Sequence, residues 1–400
     1  MERATGIEPA YSAWEADILP LNYARISLNI LLHFFSLHNN DKIQTMDKII
    51  SKKDANKLCT WYENNKRSLP WRDTGNPYDV WLSEIMLQQT RIEAVKEKFI
   101  LFKKELPTIK DLSLCDDDKL MRLWEGLGYY SRVRNLKKCA IELVSNFNGQ
   151  LPKEKEILLK LPGIGPYTAG AISSIAYNQT NPAVDGNVLR ILTRLFLDTR
   201  DVRDDKVKKE YEEYLFNLLN SYQISPSSFN QGLMELGELV CLPNGEPHCK
   251  ECPFNHICKA YLEDKTDSIP YRSKLSQRKI IHRTLLIVRD GNQFLIHKRP
   301  SKGLLANLYE FIGIEETLTK KEVISFLEDK NIYPTRIKKL PNSKHIFTHL
   351  EWHMIAYEVT VEEIQAFIEE DYYLFNKKQL KEKAIPSAFK TYVDYYTLRD

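Results

Sequence analysis

Long hydrophobic runs are almost missing from this sequence. The one candidate, Ile26 to Leu37, is interrupted by Asn29 and His33, and it falls short of the roughly 20 residues that a membrane-spanning helix needs. It also begins too far from Met1, and lacks the small-residue cleavage site, to serve as a signal peptide. A strong charge of one sign is missing too. With 57 Lys and Arg against 54 Asp and Glu the net charge is +3, so binding to nucleic acid would have to rest on a local basic face. Cysteine is sparse outside one segment: of seven in 400 residues, Cys59, Cys115 and Cys139 lie far apart upstream. Nothing else in the chain reads as a secreted, disulfide-stapled protein, so a disulfide framework is not expected. A cytoplasmic protein with no membrane association is the expectation.

What is present describes an ordinary globular chain, 43% hydrophobic and 28% charged. At 400 residues it is long for a single core, and two or three domains are expected. The remaining cysteines, Cys241, Cys249, Cys252 and Cys258, form a comb in the run CLPNGEPHCKECPFNHIC. Thiolates this dense, with turn-forming Pro, Asn and Gly between them, suit either an iron-sulfur cluster or a tetrahedral zinc site, and spacing alone does not choose between the two.

From Met1 to about Arg25 no period of 3.6 or 2 is sustained. The helical pattern DKIISKKDANKLCTWYENN follows Met46 directly. Residues 1–45 are therefore expected to be an extension from a mis-assigned start, of the kind produced when a tRNA gene is translated in the wrong sense, and to be absent from the natural protein.

Residues 46–262 read as all-α. Leu82, Ile85, Ile92, Val95, Phe99, Phe102 and Leu106 recur at helical spacing and are expected along one side of a helix. The sharpest local pattern is LPGIGPYTAGAISSIAY, residues 161–177. There a helix ends, two glycines turn the chain, and Pro166 opens the next helix, where its missing N–H is no loss. Gly163 and Gly165 leave the backbone uncovered, so that its amides and the following helix N-terminus can approach a phosphate. This is the helix-hairpin-helix signature of sequence-independent DNA backbone binding. Further on, in NPAVDGNVLRILTRLF, Asp185 precedes a helix with Val188, Ile191, Leu192 and Leu195 on its apolar side. As an N-cap it would accept hydrogen bonds from free amides. The same donors and the helix dipole would stabilise an ionised carboxylate beside a developing positive charge, so capping and catalysis are compatible readings.

After a polar hinge at residues 263–279 the texture changes. RTLLIVRD and QFLIHKR read as strands meeting at a Gly-Asn turn, and KKEVISFLEDK as a helix, which makes residues 280–395 an α+β domain.

Hairpin, glycine-proline turn, downstream Asp and cysteine comb, in this order, resemble the endonuclease III superfamily of DNA glycosylases and, within it, the MutY family of adenine glycosylases. The supporting strings are LPWR (69–72), WLSEIMLQQTR (81–91), GLGYYSRVRNL (126–136), AVDGNV (183–188) and FNQGLMELG (229–237). The resemblance covers roughly residues 46–395 and implies a helix-hairpin-helix glycosylase domain, an iron-sulfur loop at 241–258 and a Nudix-like lesion-reading domain. It implies one four-iron four-sulfur cluster on the four cysteines. Their first gap is seven residues where the family usually has six.

The resemblance also implies roles. Glu84 protonates adenine N7, Asp185 stabilises the sugar cation as an ion or by transient covalent capture, and Tyr167 assists the same centre. Glu84 lies among Trp81, Leu82, Ile85, Met86 and Leu87, and burial there is expected to raise its pKa toward neutrality. Arg72, Trp71, Gln231 and Asn187 are implied in the pocket of the flipped base, and Gln89 and Tyr129 beside the opposing base. Tyr130 is expected to be a core aromatic. GLLANLYEF (303–311) is similar to the start of a Nudix box, but the Arg-Glu and paired Glu set that holds magnesium does not follow. No pyrophosphohydrolase activity is expected. Phe347, Thr348 and His349 align with the loop that reads 8-oxoguanine, with Thr where the family often has Ser. The implied partner is double-stranded DNA carrying 8-oxoguanine:adenine or guanine:adenine mispairs, bound by a monomer. Two competing readings are a bifunctional endonuclease III-like pyrimidine glycosylase and lyase, which would need a lysine where this chain has Tyr167, and a catalytically silent lesion-binding protein, which would have no need of both Glu84 and Asp185.

Overall fold

The computed structural model describes residues 49–274, 277–364 and 371–398. The expected non-native segment 1–45 lies outside them. Helices α1 (Lys52–Asn65), α2 (Pro77–Leu87), α3 (Ile92–Glu105), α4 (Ile109–Leu114), α5 (Asp117–Leu123), α6 (Ser131–Asn146) and α7 (Lys155–Leu158) come first. They are followed by α8 (Pro166–Ala171), α9 (Gly186–Phe196), α10 (Asp205–Tyr222), α11 (Pro226–Leu239) and α12 (Lys259–Leu262). Their starts carry the chemistry expected of them. Asn76 caps α2 and is followed by Pro77, Pro166 opens α8, and the Asp185 side chain accepts from the amides of Asn187 and Val188 to cap α9.

One expectation fails here. Leu82 to Leu106 do not lie on one helix: α2 ends at Leu87 and α3 starts at Ile92. The break contains neither Gly nor Pro. Gln89 takes a left-handed conformation, φ +56°, which an L side chain adopts only at a cost that surrounding structure must offset.

From Lys279 the structure is a sheet of seven strands among the described residues: β1 (Lys279–Asp290), β2 (Gln293–Lys298), β3 (Tyr309–Glu310), β4 (Ile312–Ile314), β5 (Pro334–Ile346), β6 (Leu350–Val361) and β7 (Tyr372–Asn376). The order is β3-β2-β1-β6-β5, with β4 on β1 and β7 on β2. β1 and β2 meet at the expected Gly-Asn turn, pairing Asp290 with Gln293. β1 and β6 run parallel, Lys279 opposite Leu350 to Arg289 opposite Thr360. Helix α13 (Lys320–Glu328) starts with a Thr319/Glu322 capping box, α14 (Lys377–Glu382) and α15 (Lys390–Thr397) close the chain, and the sheet is buried on both faces between them.

Helices and sheet are packed on each other. Leu308 and Ala384 of the sheet region belong to the same buried cluster as Trp124, Leu136 and Ile164 of the helices. Around this contact Lys383 and the Tyr309 hydroxyl both donate to the carboxylate of Asp118, and Arg134 donates to the carbonyl of Ala306 at 2.9 Å. Tyr130 is buried, as expected of a core aromatic.

Candidate functional site

A cleft of about 720 Å3 opens among α2, α8, α9 and α11. Eight of the residues singled out in the sequence line it: Trp71, Arg72, Glu84, Gln89, Tyr167, Asp185, Asn187 and Gln231. They come from five stretches of chain, brought together because α8 and α2 pack closely. Gly170 lets α8 also lie against the segment that leads to Asp185, where a Cβ would stand 2.1 Å from the carbonyl oxygen of Pro182.

Glu84, on the third turn of α2, is buried, and the Tyr167 hydroxyl donates to its Oε2 at 2.6 Å. Burial pushes the Glu84 carboxyl up to about 7, reinforced by the charge of Asp185, while the Tyr167 hydrogen bond and the Arg72 guanidinium pull the other way. Such a group holds a proton near neutrality. Asp185 accepts at one oxygen from the amides of Asn187 (2.9 Å) and Val188 (2.8 Å) and at the other from Asn187 Nδ2 (3.2 Å). Burial nevertheless outweighs these donors and moves its pKa up rather than down. The capping amides pull toward the ionised state, and burial opposes them.

The Asn187 side chain is itself held. Arg190 donates to its Oδ1 at 2.9 Å and to the carbonyls of Gly237 and Cys241, both at 2.8 Å. Gly237 allows this approach, since a Cβ there would lie 2.7 Å from Asn187 Cβ. Behind Arg72 stands a group that sequence reasoning passed over. Glu235 is buried and takes Arg72 at 2.9 Å and Arg67 at 2.6 Å. Burial alone would raise its pKa, but those two arginines prevail and hold it at about 2. It lies within the FNQGLMELG string, where only Gln231 drew attention. Gln231 donates to the Ser227 hydroxyl at 3.1 Å.

A second cleft, of about 590 Å3, lies between helices and sheet and is lined by Gln89, Tyr129, Phe347, Thr348 and His349 among others. Phe347 to His349 form the turn between β5 and β6, with Phe347 in edge contact with Trp352 at 4.8 Å. The hydroxyls of Tyr129 and Thr348 share a hydrogen bond of 2.7 Å. Gln89 borders both clefts. Gly163 and Gly165 line neither of them. Gly163 is required by its φ of +77° and by Asn135, whose Cβ would stand 2.7 Å from a Cβ at that position, whereas Gly165 faces open space.

The four comb cysteines lie on one irregular loop. The loop turns at Gly245 (φ +75°) and closes where the His248 amide donates to the Val240 carbonyl at 2.9 Å. Burial and the charges of the other three thiols push Cys252 up to about 12. Among the described residues no three His, Cys, Asp or Glu close on a point where a single metal ion could sit. Cys241 Sγ also accepts from the buried Arg194 at 3.2 Å.

No helix among the described residues is long and apolar enough to cross a membrane. The family model for the HhH-GPD superfamily base excision DNA repair protein matches residues 82–216, and the NUDIX domain model matches 283–395. An adenine DNA glycosylase of Buchnera aphidicola subsp. Baizongia pistaciae is 33% identical over 314 residues, which is 78% of this chain and 87% of the relative. The Homo sapiens adenine DNA glycosylase is 30% identical over 365 residues, 76% of this chain and 66% of the relative. In the Arabidopsis thaliana adenine DNA glycosylase, 33% identical, the match spans 55% of the relative's length. Among solved structures, a thermostable thymine-DNA glycosylase aligns with a TM-score of 0.47 at 24% identity, over 55% of this chain and 98% of the other.

Proposed function

The chain belongs to the adenine DNA glycosylase family, and on that premise we propose that it hydrolyses the N-glycosidic bond of adenine mispaired with 8-oxoguanine or guanine in duplex DNA. The observation that carries this reading is the Glu84–Tyr167 pair at 2.6 Å in a cleft that no lysine lines among the described residues. Glu84 supplies the proton that makes adenine a leaving group, and Asp185 faces the cationic sugar. Tyr167, a phenol, orients Glu84 and offers no amine for a Schiff base. Trp71, Arg72, Gln231 and Asn187 bind the extruded base, while Gln89 and Tyr129 occupy the stack it leaves. Phe347, Thr348 and His349 face the opposing base, with backbone phosphates taken by the turn at Gly163 and Gly165. The protein acts as a monomer.

The test is single-turnover incubation with a duplex carrying one 8-oxoguanine:adenine pair. Adenine should be released while the strand stays intact until alkali is added, and borohydride should trap little covalent adduct. Efficient strand cleavage at neutral pH, in step with base release, would instead support a glycosylase and lyase of the endonuclease III type.

The rate should depend on pH through Glu84. Its pKa stands at about 7, and the working form is the protonated one. Excision should therefore be level below that pH and fall about tenfold per unit well above it. A rate that rises through pH 7 to 9 would show that the working form of this group is the anion.

The four cysteines suit a four-iron four-sulfur cluster, whose thiolates stand farther apart than the sulfurs round one zinc ion, where Zn–S is about 2.3 Å. The cluster would order the loop, with all four thiolates used and no position open for hydrolysis. Anaerobically purified protein should be yellow-brown and carry about four irons per chain. Stoichiometric zinc without iron would overturn the assignment.

A further inference from the structure

Arg132, the second residue of α6, is buried at the N-terminal end of its helix, where the dipole disfavours a cation. No carboxylate pairs with it among the described residues. Its guanidinium is held by oxygens from two other segments instead. Nη1 donates to the carbonyls of Ile85 (2.7 Å), Met86 (2.9 Å) and Gln88 (2.6 Å), and Nη2 to those of Leu127 (2.8 Å) and Gly128 (3.1 Å) and to the Thr90 hydroxyl (3.2 Å). A buried charge without a counter-ion is costly, and here these oxygens offset the cost.

What it holds is specific. The segment 88–91 breaks the α2–α3 pattern although it contains no Gly or Pro, and three of the carbonyls at the end of α2 that this break leaves free end on Nη1. Gln89 and Tyr129, at φ +56° and +46°, each directly follow a residue whose carbonyl the guanidinium binds. The charge also lies 5.5 Å from the Tyr129 ring centroid. One side chain thus fixes both left-handed residues and the spacing between them.

We propose that Arg132 is a positioning residue that presents Gln89 and Tyr129 as a rigid pair, and that it acts on extrusion of the adenine rather than on cleavage of its bond. The proposal rests on the functional reading above, which places those two side chains in the opened stack. Extrusion has a separate cost of its own, least for a base that is already unpaired.

The test compares single-turnover rates at saturating enzyme on two duplexes, one with an 8-oxoguanine:adenine pair and one in which the adenine faces three consecutive tetrahydrofuran abasic sites. Arg132→Lys keeps the charge but loses the fork. It should slow release from the pair by about 30-fold and from the unpaired adenine by no more than about threefold. An equal loss on both duplexes, or no loss on the pair, overturns the proposal. Failure of the wild-type protein to release adenine from either would instead overturn the functional reading. Should Arg132→Lys not fold, Thr90→Val removes one acceptor. It should slow the paired substrate by about three- to fivefold and leave the unpaired one unchanged, and an equal or absent effect counts against the proposal in the same way.

Discussion

Glu84→Gln is expected to lower the rate of adenine release by about 10³- to 10⁴-fold, the range in which a positioned general acid contributes, with binding to the mispair retained. Glutamine has the shape of the glutamic acid it replaces, and its amide oxygen can still accept from the Tyr167 hydroxyl that now stands 2.6 Å from Oε2. The packing of α2 around Trp81, Leu82 and Met86 is left unchanged. What is lost is the proton, for which a carboxamide has no equivalent near neutrality. Because the carboxyl is held at about 7 by burial, the wild-type acid is populated where it is needed. Glu235, also buried, is held at about 2 by its two arginines and is unprotonated at any physiological pH. Single-turnover release together with gel-shift affinity for the uncleaved duplex measures both halves of this expectation. Near wild-type release by Glu84→Gln would remove the residue from the role of acid.

Asp185→Asn should cost about 10²- to 10³-fold, since it removes an oriented charge beside the position where positive charge develops. It should not unfold the protein. Asparagine is as good an N-cap as aspartate, so the amides of Asn187 and Val188 keep their acceptor. Only the second contact suffers, because Asn187 Nδ2 would then face another amide nitrogen. A second measurable effect follows from electrostatics. The Asp185 charge raises the pKa of Glu84, so without it the falling limb of the pH–rate profile should move to lower pH. A profile that stays in place would show that the two carboxyls do not sense each other.

Much of this site could be read from the chain, and the parts that could not share a cause. Pro166 at a first helical turn, Asp185 ahead of an amphipathic helix and four clustered thiols are local features. Their residue types state their geometry, and the helices form where the pattern places them. Glu84 among apolar neighbours was enough to anticipate a raised pKa. The interruption at 88–91 was not anticipated, since no breaker residue marks it; an arginine more than forty positions later holds it open. Glu235 was passed over for the same reason, as its partners Arg67 and Arg72 lie far upstream. The donors to Asp185 could be read because capping is visible in a sequence, but the opposing effect of burial could not, because depth of burial is not.

The turn of Phe347, Thr348 and His349 sits at the point where the chain enters the sheet. The amide of Lys279, the first residue of β1, donates to the carbonyl of His349 at 3.3 Å, and Lys279 lies opposite Leu350 in the parallel pairing. On its other side the turn meets Tyr129 through Thr348. The chain therefore enters the sheet pinned to this turn, so that a change in how β1 begins would reach Thr348 and its contact with Tyr129 before the rest of the sheet.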